Sequence, residues 1–188
     1  MITQYTNIPF EIFTIDYVFT ENQLQEFNEF VKKESQCPNR PFTQSNFING
    51  KLVHPMISKQ IYTAIEPYLP NHYQDQKKQQ WEFVGPIQTI MYAVVNPTQN
   101  FGIHTDTGYE YDSIKHHYSK YTVLIYLNDS FQGGTTTFYS NEFIPIAQIQ
   151  PKKGRVLCFD IDLFHSGDPI LKGSKRWIGT EMVCHKII

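Results

Sequence analysis

The sequence predicts a mainly β fold, an antiparallel sandwich or jelly roll, with two helices packed outside it. From Trp81 onward the chain consists of short β-branched and aromatic runs separated by Gly, Pro, Asn, Asp or Ser. No helical period and no βαβ rhythm of about 30 residues separates these runs, which argues against a parallel sheet. Helical spacing of apolar residues is found before residue 81, so we expect the helices there.

The first helix is predicted over residues 21–34. Thr20 and Gln23 have the spacing of a capping box, in which each side chain bonds a backbone N–H at the start of the helix. The apolar stripe that follows has helical spacing and consists of Leu24, Phe27, Phe30 and Val31. The pattern indicates an amphipathic helix with one buried face.

A second helix is predicted from Pro55, which suits a first helical turn, to about Tyr68. The polar residues 70–80 that follow are interpreted as a solvated surface loop. We expect residues 1–80 to form a helical support region and residues 81–188 to form the β core.

The predicted strands lie in segments of strand length between turn signals. They are WEFVGPIQTIMYAVVNP, KYTVLIYLND, TTTFYS, FIPIAQIQP, GRVLCFDI and RWIGTEMVC. A chain of 188 residues with 40% apolar and 15% aromatic residues can bury one core, so residues 1–188 are expected to form a single domain.

Composition also excludes classes of function. The net charge of -2 argues against a nucleic-acid partner bound through counterion release and against a polybasic membrane-surface protein. Three scattered cysteines, Cys37, Cys158 and Cys184, are typical of buried thiols in a reducing compartment. No signal-peptide pattern and no stretch of about 18 apolar residues is found. We therefore expect a soluble, cytoplasmic protein with no membrane partner.

Three residues have the types and spacing of a metal site. His104 and Asp106 lie two positions apart after a predicted strand, which directs both side chains to one face, and His165 follows a later strand. An HxD pair alone is a weak signal. Two imidazoles and one carboxylate form the facial triad that suits non-haem Fe(II) in oxygenases, and zinc competes for the same ligands.

A basic residue ten positions after His165 favours iron. The chain leaves His165, turns near Gly173 and enters a new strand at Lys175, where a cation could bind the far carboxylate of a 2-oxoacid on the metal. A zinc hydrolase does not need such a cation. Arg176 is the alternative, because adjacent strand residues face opposite sides and only one can point inward. Lys175 has the better spacing.

Four motifs in order between residues 92 and 184 carry a resemblance to a known family. They are FGIHTD, YTVLIYLND followed by FQGGTTTFY, PKKGRVLCFDIDLFHSG, and KGSKRWIGTEMVC. The chain resembles the prolyl 4-hydroxylase-type 2-oxoglutarate- and Fe(II)-dependent dioxygenases. This resemblance implies a double-stranded β-helix, a jelly roll, with N-terminal α-helices packed on its major sheet and with residues 81–188 as the catalytic core.

The resemblance also assigns site residues and cofactors. It implies that His104, Asp106 and His165 bind Fe(II), that Lys175 binds the C5 carboxylate of 2-oxoglutarate, and that Tyr126 donates a hydrogen bond to the same carboxylate. Fe(II), 2-oxoglutarate and O2 as cosubstrates, and ascorbate as reductant, are the expected requirements.

The implied activity is hydroxylation of a side chain, with peptidyl proline favoured, coupled to oxidative decarboxylation of 2-oxoglutarate to succinate and CO2. The expected partner is a protein or peptide that contains proline, and the expected assembly is a monomer or a small homo-oligomer. Two alternatives stay open. One is a non-catalytic or zinc-binding jelly-roll module, and the other is a hydroxylase of another amino acid or of nucleic acid.

Overall fold

The computed structural model describes residues 1–8, 10–36, 48–75, 77–106, 110–112 and 114–187. The helices are α1 (Glu21–Ser35) and α2 (Pro55–Ile65), the latter continued by a 3-10 turn (Glu66–Tyr68). The strands are β1 (Ile2–Gln4), β2 (Ile12–Ile15), β3 (Ile48–Val53), β4 (His72–Gln74), β5 (Gln80–Pro86), β6 (Thr89–Val95), β7 (Phe101–His104), β8 (Glu110–Asp112), β9 (His117–Tyr126), β10 (Gln132–Gly133), β11 (Thr136–Tyr139), β12 (Pro145–Ile149), β13 (Val156–Asp160), β14 (Phe164–Gly167), β15 (Ile170–Lys172) and β16 (Lys175–Lys186).

Within these ranges the strands form one large sheet, one small sheet and a two-stranded ribbon of β10 and β15. The major sheet has ten strands, with the order β1-β2-β13-β9-β16-β5-β4, and β6, β3 and β8 branch from it. The minor sheet has the order β12-β11-β14-β7. Neighbouring strands pair antiparallel throughout the described register, and the predicted mainly β jelly-roll class is confirmed.

The two faces of the major sheet have different neighbours because side chains alternate along each strand. On β9, Tyr126 packs between the two sheets, whereas Val123 and Ile125 pack on the side of the helices. The core between the sheets consists of Ile12, Tyr126, Phe138, Ile149, Leu157, Phe159 and Leu163. The helix-side core includes Leu24, Phe27, Val31, Ile61, Ile65, Val123, Ile125 and Ile178. We call the face toward the minor sheet the inner face.

Both predicted helices are present. The capping box of α1 is formed, with Gln23 N donating to Thr20 Oγ1 and Thr20 N donating to Gln23 Oε1 at 2.9 Å. Helix α2 begins at Pro55 as predicted and gives way to the 3-10 turn that ends at Tyr68. No helix in the described ranges has both the length and the apolar character needed to cross a membrane.

Residues 1–80 contain strands that the sequence did not predict. Strand β2 pairs with β13 and so extends the major sheet, while β1 pairs with β2. The expectation of a solvated loop at 70–80 is wrong in its middle, because Tyr73 and Asp75 are buried. The Asp75 carboxylate accepts a hydrogen bond from Trp81 Nε1 at 3.0 Å, which holds this segment on the sheet. Cys158 and Cys184 are buried thiols, as expected, whereas Cys37 lies outside the described residues.

A bidentate ion pair fastens the N-terminal strands to the rest of the chain. Arg155 Nε donates to Asp16 Oδ1 and Arg155 Nη2 donates to Asp16 Oδ2, each at 2.9 Å. The two side chains are 17% and 14% exposed, so solvent screens the pair only in part. The hydrogen bond from Arg155 holds the pKa of Asp16 below its usual range, against the opposing effect of burial.

Asp16→Asn is therefore expected to lower the free energy of unfolding by about 1 kcal/mol at neutral pH. A carboxyl with a lowered folded-state pKa stabilises the protein above its unfolded-state pKa, and this contribution is lost as the pH falls through the folded-state value. The difference between wild type and variant should thus shrink below about pH 4, in urea unfolding at several pH values. Glu29→Gln, in an exposed pair with Lys32, is the control and should change stability little. A constant difference from pH 7 to pH 3 would contradict this account.

Candidate metal centre

The minor sheet brings the two predicted histidines together. Strands β14 and β7 pair antiparallel, with His165 opposite His104, and the ring centroids are 4.3 Å apart. Asp106 lies two residues after His104, just beyond the end of β7. One ligand atom from each of His104, Asp106 and His165 lies within 4.8 Å of the others.

Backbone carbonyls orient both imidazoles. His104 Nδ1 lies 2.8 Å from Gly102 O, and His165 Nδ1 lies 3.0 Å from Leu163 O. These contacts place the ring proton on Nδ1 and leave a lone pair on Nε2, the arrangement that outer hydrogen bonds impose on metal-binding histidines. The Nε2 atoms of His104 and His165 lie 3.6 and 3.8 Å from Asp106 Oδ1. Two imidazole nitrogens and one carboxylate oxygen thus face one point, which fits an Fe(II) ion.

Thr122 on β9 fixes the remaining oxygen of the carboxylate. Its hydroxyl donates to Asp106 Oδ2 at 2.7 Å, so Oδ1 is the oxygen that faces the histidines. Burial raises the pKa of Asp106, but the adjacent imidazoles of His104 and His165 and the hydrogen bond from Thr122 lower it below its usual value. Thr122 was not predicted as a site residue, although it lies four positions before Tyr126 and therefore on the same face of β9.

The two histidines differ in burial, and their pKa values shift in opposite directions. His165 is buried between Phe138 and Phe159, with ring centroids at 5.7 and 4.7 Å, and this burial lowers the pKa of its imidazole. The adjacent carboxylate of Asp106 raises the pKa of the more exposed His104. A neutral, buried His165 suits a ligand nitrogen, because metals bind the unprotonated imidazole.

A cavity opens from these ligands between the two sheets. Its walls are formed by Met91, Phe101, His104, Asp106, Thr122, Leu124, Thr136, His165, Ser166, Gly167, Lys175 and Trp177. Trp177 is half-buried and lines this cavity. Phe138 and Phe159 are fully buried, as expected of core aromatics.

Lys175 contributes a buried cation to the same cavity. The side chain is buried, and its Nζ donates to Gly134 O at 2.6 Å and lies 5.0 Å from the centroid of the Tyr126 ring. Burial lowers the pKa of Lys175 to about 7, with Asp168 opposing this effect. In the described ranges no carboxylate forms an ion pair with this ammonium. Arg176 does not line the cavity, and its Nε has no hydrogen-bond partner among the described residues.

Tyr126 lies behind the cavity wall. Its side chain is fully buried, and its hydroxyl lies 2.8 Å from Thr136 Oγ1. Burial raises the pKa of the phenol above its usual range, so it is neutral and able to donate a hydrogen bond. Thr136, and not Tyr126, lines the cavity, and contact of Tyr126 with 2-oxoglutarate stays a prediction.

The fold resembles solved prolyl hydroxylases. The viral collagen prolyl hydroxylase of Paramecium bursaria Chlorella virus-1, solved as a 2-oxoglutarate complex, superposes with a TM-score of 0.62 at 18% identity, over 93% of this chain and 96% of that chain. A Pseudomonas putida prolyl-4-hydroxylase gives 0.61 at 11% identity, over 93% and 92%. The Trichoplax adhaerens prolyl hydroxylase, in complex with a hypoxia inducible factor peptide fragment, gives 0.62 at 14%, over 93% and 84%. These identities are low, so the likeness shows the fold.

Sequence comparison identifies the family. No curated protein matches the chain. The family model of the 2OG-Fe(II) oxygenase superfamily matches residues 87–182, about half of the chain, and these residues include His104, Asp106, His165 and Lys175. The chain therefore belongs to the 2OG-Fe(II) oxygenase superfamily.

Proposed function

We propose that the protein is an Fe(II)- and 2-oxoglutarate-dependent dioxygenase that hydroxylates a side chain, with peptidyl proline as the favoured substrate. One observation carries this proposal. The cavity holds a facial set of two imidazoles and one carboxylate and also a buried ammonium without a carboxylate partner among the described residues. The first fits Fe(II), and the second fits the far carboxylate of a dicarboxylic 2-oxoacid.

His104, Asp106 and His165 would hold the metal. The carbonyls of Gly102 and Leu163 keep both Nε2 atoms directed at it. When bound, Fe(II) with 2-oxoglutarate and O2 supplies the oxidative decarboxylation to succinate and CO2 and the hydroxylation of a C–H bond, and ascorbate would keep the iron reduced.

Lys175 would orient 2-oxoglutarate through its C5 carboxylate. Burial removes water from the ammonium, and a bound anion would compensate for that loss. A charge-assisted hydrogen bond in a dry cavity is strong. Tyr126 supports Lys175 through its ring, and its hydroxyl would reach the carboxylate only by exchanging its contact with Thr136. Trp177 and Phe101 supply apolar walls that restrict water in the cavity.

Proline is the favoured target because three solved relatives of the same fold are named as prolyl hydroxylases, one of them with a peptide bound. A peptide substrate also suits the net charge of -2, which offers no polybasic surface for nucleic acid.

Purified protein with Fe(II), ascorbate and 2-oxoglutarate is expected to form succinate in the presence of proline-containing peptides, with a peptide product heavier by one oxygen atom. His104→Ala and Asp106→Ala should abolish turnover, because each removes a metal ligand. His72→Ala, at an exposed position on β4, should have no effect. The measurement is succinate release together with mass spectrometry of a peptide library.

Three results would decide against this function. Tightly bound zinc without stabilisation by 2-oxoglutarate would indicate a non-catalytic module. Turnover with single-stranded nucleic acid would indicate a nucleic-acid hydroxylase. Succinate formed only with free amino acids or with peptides lacking proline would keep the dioxygenase and exclude the prolyl assignment.

Lys175→Ala is expected to raise the half-saturating concentration of 2-oxoglutarate by about 10- to 100-fold, because a charge-assisted hydrogen bond in a buried site is lost. Arg176→Ala is the matched control, since its side chain does not line the cavity, and should change that concentration by less than about 2-fold. Titration of 2-oxoglutarate in the succinate assay measures both. The opposite ranking of the two variants would assign the cosubstrate cation to Arg176.

Thr122→Val is expected to weaken Fe(II) binding by about 10- to 100-fold, because loss of the hydroxyl frees Asp106 to rotate away from the histidines. Thr122→Ser keeps the hydroxyl and should restore affinity. Fe(II) titration under nitrogen measures both variants, and thermal unfolding of the metal-free proteins shows whether the fold is unchanged. Equal affinity of wild type and Thr122→Val would exclude a positioning role for Thr122.

A further inference from the structure

The inner face of the major sheet continues past the cavity to a buried carboxylate, Glu181 on β16. Glu181 lies directly opposite Thr122 on β9, and paired residues of antiparallel strands project to the same face. Thr122 lines the cavity and donates to Asp106. The Glu181 side chain therefore lies one strand away from a residue that contacts a metal ligand.

Lys51 on β3 also lies on the inner face, on the side of β16 opposite to β9. It pairs with Met91 on β6, which lines the cavity. Lys51 Nζ lies 3.7 Å from Glu181 Oε1, and the Lys51 side chain is 64% exposed while that of Glu181 is 3% exposed. Lys51 thus shields the Glu181 carboxylate from solvent. Because most of the Lys51 side chain is exposed, it can move away from Glu181 at a small cost in free energy.

The carboxylate of Glu181 is incompletely compensated. Ser119 Oγ donates to Oε2, whereas the contact of Oε1 with Lys51 is longer than a hydrogen bond. Burial raises the pKa of Glu181, although Ser119 and Lys51 act in the opposite direction. A buried carboxylate can accept several hydrogen bonds, so Oε1 retains capacity for a further donor.

We propose that Glu181 forms a substrate subsite that binds a basic side chain of the peptide, an arginine or a lysine close in sequence to the hydroxylated residue. This proposal rests on the proposed function, which places a peptide at the cavity. The cation of the substrate replaces Lys51 at Oε1, and Ser119 holds the carboxylate in place. Glu181 is thereby a specificity-determining residue beside the metal centre.

The burial of Glu181 determines that the substrate side chain bound there is basic. An acidic substrate side chain could pair with Lys51, but it would draw the ammonium away and leave the buried Glu181 carboxylate beside a second negative charge, which is unfavourable. A basic side chain neutralises Glu181 and releases Lys51 to solvent, where an ammonium is well hydrated. A guanidinium can also form two parallel hydrogen bonds with a carboxylate.

The test uses two labelled peptides, each with a central proline flanked by arginine or by its neutral analogue citrulline. They are titrated by fluorescence anisotropy into protein loaded with Fe(II) and 2-oxoglutarate under nitrogen, so that binding is measured without turnover. Wild type is expected to bind the arginine peptide about 10-fold more tightly. Glu181→Gln should reduce this difference to less than about 2-fold. Lys51→Met should increase it, because a competing cation is removed.

Glu29→Gln on α1 and Lys59→Met on α2 are the matched controls, because both helices pack on the opposite face of the sheet, and they should leave the preference unchanged. The proposal is overturned if wild type binds the two peptides equally or binds neither of them. A preference that survives Glu181→Gln, or that Lys51→Met abolishes, also overturns it. If Glu181→Gln does not fold, the Lys51→Met result decides.

This outcome is separable from that of the proposed function. A preference for arginine without hydroxylation would contradict the prolyl hydroxylase assignment and leave the subsite in place. Succinate formation with both peptides and no preference in binding would support the dioxygenase and contradict the subsite.

Discussion

The register between β9 and β16 determines which residues of these two strands reach the inner face. Pairing runs from Trp177 opposite Tyr126 to His185 opposite His117, and the irregularity in it comes only after Met182. A slip of one residue would turn the side chains of Lys175, Trp177 and Glu181 to the helix side and direct Ile178 of the helix-side core to the inner face. Gly179 allows close contact here, since a Cβ at this position would lie 2.5 Å from Val123 O. The same pairing therefore specifies the core and the site.

The site is completed by elements that are distant in sequence. His104 and Asp106 come from β7 and the residues after it, His165 comes from β14, and Thr122 comes from the facing sheet. Packing of the two sheets through Phe138 and Phe159 holds His165 against the major sheet. The proposed metal ligands are thus held in place by the same contact between the sheets that forms the core.

Local patterns allowed much of this to be predicted. The spacing of His104 and Asp106, the capping box at Thr20 and the short β-branched runs each report on neighbouring residues, and each led to a correct structural feature. Strand β2 was missed because its pairing with β13 joins segments more than a hundred residues apart. Thr122 was missed because a threonine is ordinary in a strand, and its role depends on a carboxylate from the other sheet. Which of Lys175 and Arg176 faces the cavity likewise depends on the register of β16, which local sequence patterns do not specify.

Among the described residues, Lys175 and Glu181 are incompletely compensated charges of the inner face, and they lie at different ends of the site. Lys175 and Glu181 are six residues apart on β16, about 20 Å along the strand. Each is surrounded by residues that exclude water, so each lowers the stability of the ligand-free fold. A bound ligand of opposite charge would compensate for this loss of stability. The two proposed binding positions on this strand would therefore accept opposite charges, an anion at Lys175 and a cation at Glu181, with the Thr122–Asp106 contact beside the second.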